Sequence, residues 1–197
     1  MRIATLALLG SIMASAPAAA QDVQEHRGLW GGFGLGGGIN LTDTFDGGSL
    51  WGFSGYGRIG GSLNQRVLLG GESSGWIGSR NGVDYTRGNL SALLLFYPSP
   101  KGGLYLKGGL GFSYVTTSIS SSTTIDGVFY YSSVSESKGG FGATAGLGYD
   151  VRLGRNIYLV PAVDWYLQAV GTENNSVFGT LPGTNNQIAF SLGLVWH

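Results

Sequence analysis

The chain has 197 residues, 37 of them glycine and none cysteine; 11% are charged and 43% hydrophobic, with eleven basic against eleven acidic side chains. A soluble domain carries charge on about a quarter of its residues, so this composition excludes an ordinary water-facing surface. The lack of cysteine excludes a disulfide framework, and the neutral balance argues against a nucleic-acid partner.

Residues 1–20 read as a cleavable secretory signal peptide. Met1-Arg2 is the short positive start, Ile3 to Met13 the apolar core, and Ala18-Ala19-Ala20 the small-residue cleavage site before Gln21. The apolar run is far short of the ~20 residues a membrane-spanning helix needs. Residues 21–197 then form one domain, with ten basic residues once Arg2 is removed, against eleven acidic.

Beyond that point no segment shows capped helical periodicity, and period-two alternation recurs eight times. The first strand is expected at about Gly28 to Leu41, with Leu29, Phe33, Leu35, Ile39 and Leu41 on one face and glycines opposite. The second, about Leu50 to Leu63, sets Trp51, Phe53 and Ile59 against Ser54, Tyr56 and Arg58. The third, Val67 to Trp76, puts Val67 and Leu69 opposite Leu68, Glu72 and Ser74. In the fourth, Val83 to Tyr97, Leu90, Ala92, Leu94 and Phe96 oppose Arg87, Asn89 and Ser91. Pro98-Ser99-Pro100 breaks it.

The fifth strand, Leu104 to Ser118, alternates most cleanly, Leu104, Leu106, Leu110, Phe112 and Tyr114 against Tyr105, Lys107 and Ser113. The Ser/Thr-rich stretch 119–137 that follows is too polar and long for a hairpin turn, and it holds an aromatic cluster at Phe129, Tyr130 and Tyr131. That cluster reads either as a partner surface or as an extension of the flanking strands into a protruding hairpin. The sixth strand is Lys138 to Val151 and the seventh Ile157 to Val170, where Pro161 should cause a bulge or weakened pairing because it cannot donate to a ladder. A polar loop, 171–186, leads to the eighth, Gln187 to His197.

Connections after strands two, four and six are short, and the others are longer or more polar. That rhythm, with an even strand number, is the pattern of a transmembrane barrel with turns in the periplasm and loops outside the cell. Tyr97, Tyr149, Tyr158 and Trp196 fall at the turn ends, and Trp51, Tyr114 and Trp76 toward the loop ends, where aromatic girdles belong. A soluble eight-stranded barrel would put the apolar face inward, crowding Leu, Phe and Trp into a lumen only wide enough for side chains to fill. The reading is therefore an all-β, eight-stranded antiparallel up-and-down transmembrane barrel with its apolar face outward.

The inward face carries three basic and three acidic residues, Arg58, Glu72, Arg87, Lys107, Asp150 and Asp164. Charges in a narrow lumen must pair, since an unpaired buried charge costs several kcal/mol. A turn centred near Gln65 sets Arg58 opposite Glu72; a turn midway between Arg80 and Asn81 sets Glu72 opposite Asn89 with Arg87 on the diagonal, so that Glu72 lies between two arginines. Such a network plugs the lumen and fixes register, or gates a narrow pore. No His/Cys/Asp/Glu group has metal-ligand spacing in the sequence, and no cofactor is expected. The G-x-G-x-x-G match from Gly32 to Gly37 lacks the following helix that a nucleotide site needs.

The signal peptide, the eight alternating strands, the turn and loop rhythm and the closing strand resemble the small eight-stranded outer-membrane barrels of Gram-negative bacteria, the class of outer membrane protein A's membrane domain and outer membrane protein X. The resemblance covers essentially all of 21–197. It implies an integral outer-membrane location, contact with outer-membrane lipid and lipopolysaccharide, delivery by the barrel assembly machinery, and a monomer. It also implies a C-terminal assembly signal that Ser191, Gly193 and Trp196 match, with the pattern's last aromatic falling one place beyond His197. The role expected is structural or surface interaction, any extracellular partner being met through 119–137 and 171–186. A narrow pore or passive transporter is the alternative, and a lipid A-modifying enzyme comes third. Relatives of that last kind use His with Ser, whereas this chain has only His26 and His197, both outside the barrel's middle.

Overall fold

The computed structural model describes residues 26–42, 48–125, 128–171, 173–175, 179–181 and 183–197, with backbone alone for those between 120 and 131 and between 172 and 182. The expected signal peptide, residues 1–20, lies outside the described residues. Eight strands build the barrel: β1 (Leu29–Asn40), β2 (Leu50–Ser62), β3 (Val67–Arg80), β4 (Val83–Phe96), β5 (Leu104–Ile125), β6 (Val128–Tyr149), β7 (Ile157–Ala169) and β8 (Thr184–Trp196). Each pairs antiparallel with its neighbour in sequence, and β8 pairs with both β7 and β1, closing the sheet. Closure gives every barrel strand a partner on each side, the condition for backbone in hydrocarbon.

Alternation sorts the side chains as expected. Phe33, Leu35, Phe53, Ile59, Leu90, Leu110, Phe112, Phe141, Phe190 and Leu192 face outward, while Arg58, Glu72, Arg87, Lys107 and Asp164 are buried. The turn ends of the lumen hold an apolar plug of Trp30, Leu68, Leu93, Leu95, Tyr97, Tyr105, Tyr158, Val160 and Val195. A second group, Leu50, Trp76, Val83 and Tyr85, fills the loop end.

The aromatic girdles need correction. Trp51, Tyr114 and Trp196 do face outward, but Tyr97, Tyr158 and Trp76 are buried inside. Parity decides it: on β4 the outward residues are even-numbered, which turns Tyr97 inward, and the same reasoning holds for Trp76 and Tyr158. Trp76 is anchored there by donating from Nε1 to the Gly38 carbonyl at 3.1 Å.

Four strands run longer than their apolar alternation, β8 by starting at Thr184 rather than Gln187. β3 continues to Arg80 and turns through Asn81 and Gly82, both at positive φ (52° and 77°), the two-residue turn whose twist matches a hairpin. Within the 119–137 stretch, residues 119–125 and 128–137 continue β5 and β6, paired without interruption out to Ile125 opposite Val128. About ten residues of a strand cross the bilayer, so half of this hairpin stands beyond it. A smaller ribbon, Glu173–Asn175 with Gly179–Leu181, occupies part of the last outer loop.

Opposite Pro161 the β6–β7 ladder does weaken. Pairing stops after Gly148 with Ala162 and resumes at a two-residue strand, Val151–Arg152, with Val151 opposite Leu159. The register is the same on both sides of the gap, so no residue is inserted and there is no bulge. Asp150 sits in that gap.

Candidate functional site

The lumen's centre is organised by one cation. Lys107 on β5 places Nζ 2.8 Å from Glu72 Oε1 and 2.8 Å from Asp164 Oδ1, and donates also to Glu72 Oε2 at 3.0 Å. Glu72 comes from β3 and Asp164 from β7, so the triad bridges alternate strands across the lumen rather than neighbours along the wall. The Tyr166 hydroxyl, 3.4 Å from Glu72 Oε1, closes the group. A cavity of about 10 Å³ remains between Tyr56, Asp164, Tyr166 and Ala189, no more than one water requires.

Arg58 lies opposite Glu72 in the β2–β3 register, as the turn near Gln65 implies. Its hydrogen bond, however, goes from Nη1 to the Tyr105 hydroxyl at 3.1 Å. Its guanidinium stacks among Tyr56 at 4.9 Å, Tyr105 at 5.1 Å and Trp30 at 5.9 Å from the ring centroids. An aromatic box of this kind replaces part of the hydration that burial removes. The narrowness has a visible cause in two glycines: a Cβ at Gly34 would come 2.5 Å from the Tyr56 ring, and one at Gly193 2.5 Å from its hydroxyl oxygen.

Arg87 is not part of this group. The β3–β4 turn is centred on Asn81-Gly82, one residue later than the position that would put Asn89 opposite Glu72, so Glu72 faces Ser91 and Arg87 faces Trp76. Arg87 lies 5.7 Å from the Tyr85 ring toward the loop end, and Asn89 accepts from Gln168 at 3.2 Å. Glu72 therefore answers a lysine on β5, not a second arginine on β4.

Asp150 is also remote from the triad, at the barrel's turn-end mouth. Its Oδ2 accepts from the Tyr97 hydroxyl at 2.8 Å and lies 3.5 Å from His197 Nε2. His26 packs beside them, 4.0 Å from the Tyr97 ring and 4.7 Å from that of His197. His26 Nδ1 lies 3.2 Å from the Gln65 carbonyl oxygen and can only donate to it. Burial, then the neighbouring His197, pushes the His26 imidazole down to about 4, so the ring is neutral at pH 7. His26, Asp150 and His197 thus bring three ligand atoms within 4.8 Å of one another. Sequence spacing missed this group because its members lie before β1, between β6 and β7, and after β8.

Of the assembly-signal residues, Ser191, Gly193 and Trp196 lie on β8 opposite Gly36, Gly34 and Gly31 of β1. The backbone of Phe129, Tyr130 and Tyr131 is in β6, opposite Thr124, Thr123 and Ser122; their side chains lie outside the described residues.

The sequence profile of the outer membrane protein beta-barrel domain matches residues 4–196. The chain belongs to that family. It is an integral outer-membrane β-barrel. Among solved structures it is similar to Neisserial surface protein A, at 14% identity and TM-score 0.55 over 88% of this chain and 99% of that one. It is likewise similar to Ail, the attachment invasion locus protein of Yersinia pestis, at 15% identity and TM-score 0.56 over 86% and 99%. OprG from Pseudomonas aeruginosa is matched at 14% identity and TM-score 0.50 over 89% and 100%. At such identities the likeness establishes the shared fold. No curated protein matches the sequence. In this barrel family the short-turn end, with His26 and His197, is the periplasmic end, and the β5–β6 hairpin stands outside the cell.

Proposed function

We propose that this outer-membrane barrel is a closed plug with a structural or surface-interaction role, and that it acts through its external hairpins rather than through its lumen. The observation carrying this reading is Lys107 held between Glu72 and Asp164 at 2.8 Å each, across a centre with a cavity of only about 10 Å³. An ion crossing the lumen at this level would have to displace a triad that spans it, which supports a closed rather than a conducting barrel. Above it, β5 and β6 offer a paired platform long enough to clear the headgroups, bearing Phe129, Tyr130 and Tyr131 toward its tip. Charge-bearing lipopolysaccharide and an extracellular partner would both be met through such a platform and through 171–186, and the barrel works as a monomer.

A narrow pore is the second reading, favoured by one feature: Lys107 serves two carboxylates and can release one while keeping the other. Single-channel recording in planar bilayers separates the two. The plug reading expects silent membranes for the wild type and for Glu72→Ala. Openings in the wild type above the lipid background, enlarged by Glu72→Ala, would establish the pore instead. Neither reading uses enzymatic chemistry; lipid A mass spectra with and without expression should be identical.

A further inference from the structure

At the periplasmic mouth two buried imidazoles and one buried carboxylate converge with nitrogen atoms left unsatisfied. His26 Nε2 and both ring nitrogens of His197 have no hydrogen-bond partner among the described residues, and His26 is 1% exposed. Buried polar atoms are ordinarily paired, and each exception calls for a cause. We propose that His26, Asp150 and His197 form a binding site for a divalent transition-metal ion of the zinc class, with three protein ligands and a fourth position for water.

The chemistry of the donors and the groups behind them fits that ion. Two imidazoles and a carboxylate suit zinc and its neighbours, whereas magnesium and calcium take oxygen ligands. The outer partners have the arrangement a metal ligand needs. His26 donates from Nδ1 to the Gln65 carbonyl, which fixes the tautomer that leaves Nε2 as a bare lone pair. The Tyr97 hydroxyl, at 2.8 Å, orients the Asp150 carboxylate in the same way. The three ligand atoms already lie within 4.8 Å of one another, and His197 Nε2 is 3.5 Å from Asp150 Oδ2. Ligands around a tetrahedral zinc at ~2.1 Å stand roughly 3.4 Å apart, so closure asks for about an ångström of side-chain rotation.

The placement gives the ion a task. Its ligands come from the segment before β1, from the ladder gap opposite Pro161, and from the residue after β8. A bound metal would tie the segment before the first strand to the residue after the last and bridge the gap in the β6–β7 ladder.

The experiment is calorimetric titration of the folded protein in detergent micelles, without a polyhistidine tag, using zinc chloride, with thermal unfolding followed in parallel. One zinc per chain is expected, unaffected by millimolar magnesium, with an unfolding temperature that rises as zinc is added. His26→Gln, Asp150→Asn and His197→Gln should each weaken zinc binding about 100-fold or more and abolish the thermal shift. His197 follows the last ladder residue, Trp196, so His197→Gln leaves every barrel strand intact and is decisive on its own. Absence of saturable zinc uptake by the wild type, or wild-type affinity in His197→Gln, overturns the proposal and leaves the three residues as an aromatic and ion-pair plug.

Discussion

At the scale of single residues, the fold's most consequential charge is Lys107. Replacing it with Met leaves Glu72 and Asp164 buried beside each other with no cation between them. Breaking a buried pair by removing one partner costs about 3–5 kcal/mol. Lys107→Met should therefore lower the stability of the barrel by about that much in urea titrations from lipid vesicles, and adding Glu72→Gln and Asp164→Asn should restore part of it. That Lys107 faces inward was legible from its place among Tyr105, Gly109 and Ser113. Its partners were not, because β3, β5 and β7 are joined by no common turn, and their meeting depends on how the closed barrel staggers its strands. Parity counted from Phe96, Leu159 and Leu69 turns Tyr97, Tyr158 and Trp76 inward and outweighs their position near the strand ends.

At the scale of elements, hairpins joined by short turns fix their own register. Arg58 opposite Glu72 follows from the turn at Asn64 and Gln65 and is found. The next hairpin turns at Asn81-Gly82, the strongest short-range turn signal in this stretch, one residue beyond the centre that Glu72 opposite Asn89 requires. Moving a turn's centre by one residue displaces every cross-strand partner by two, which carried Arg87 away from Glu72. The β5–β6 hairpin was obscured for a different reason. Its outer half is dominated by serine and threonine, so the hydrophobic alternation that reveals a membrane strand is absent, while the backbone ladder continues. The outer half should thus be dispensable for folding. Replacing Ser121 to Ser132 by Asn-Gly is expected to leave the heat-dependent gel mobility and urea midpoint unchanged while abolishing any cell-surface adhesion the protein confers; lost folding would show that the extension supports the barrel.

At the scale of the whole molecule, the sheet has seven pairings between sequence neighbours and one that is different. β1 meets β8 over ten residue pairs, from Gly31 with Trp196 to Asn40 with Gln187. All the others bring together segments separated by a single turn or loop, so nearly the entire conformational cost of long-range closure falls on this seam. A substitution there should retard folding, whereas an equally destabilising one made late in assembly elsewhere mainly hastens unfolding. Gly36→Val is a direct test, since a Cβ at that position runs into the Phe190 carbonyl oxygen of β8. Refolding into vesicles, timed by gel mobility, should slow by about tenfold or more; an unchanged rate would place the seam after the barrier. Until the seam shuts, the chain has two bare strand edges and an apolar outer face at once, the combination from which aggregates nucleate. The interval before closure, rather than the finished barrel, is where this protein is most vulnerable to aggregation.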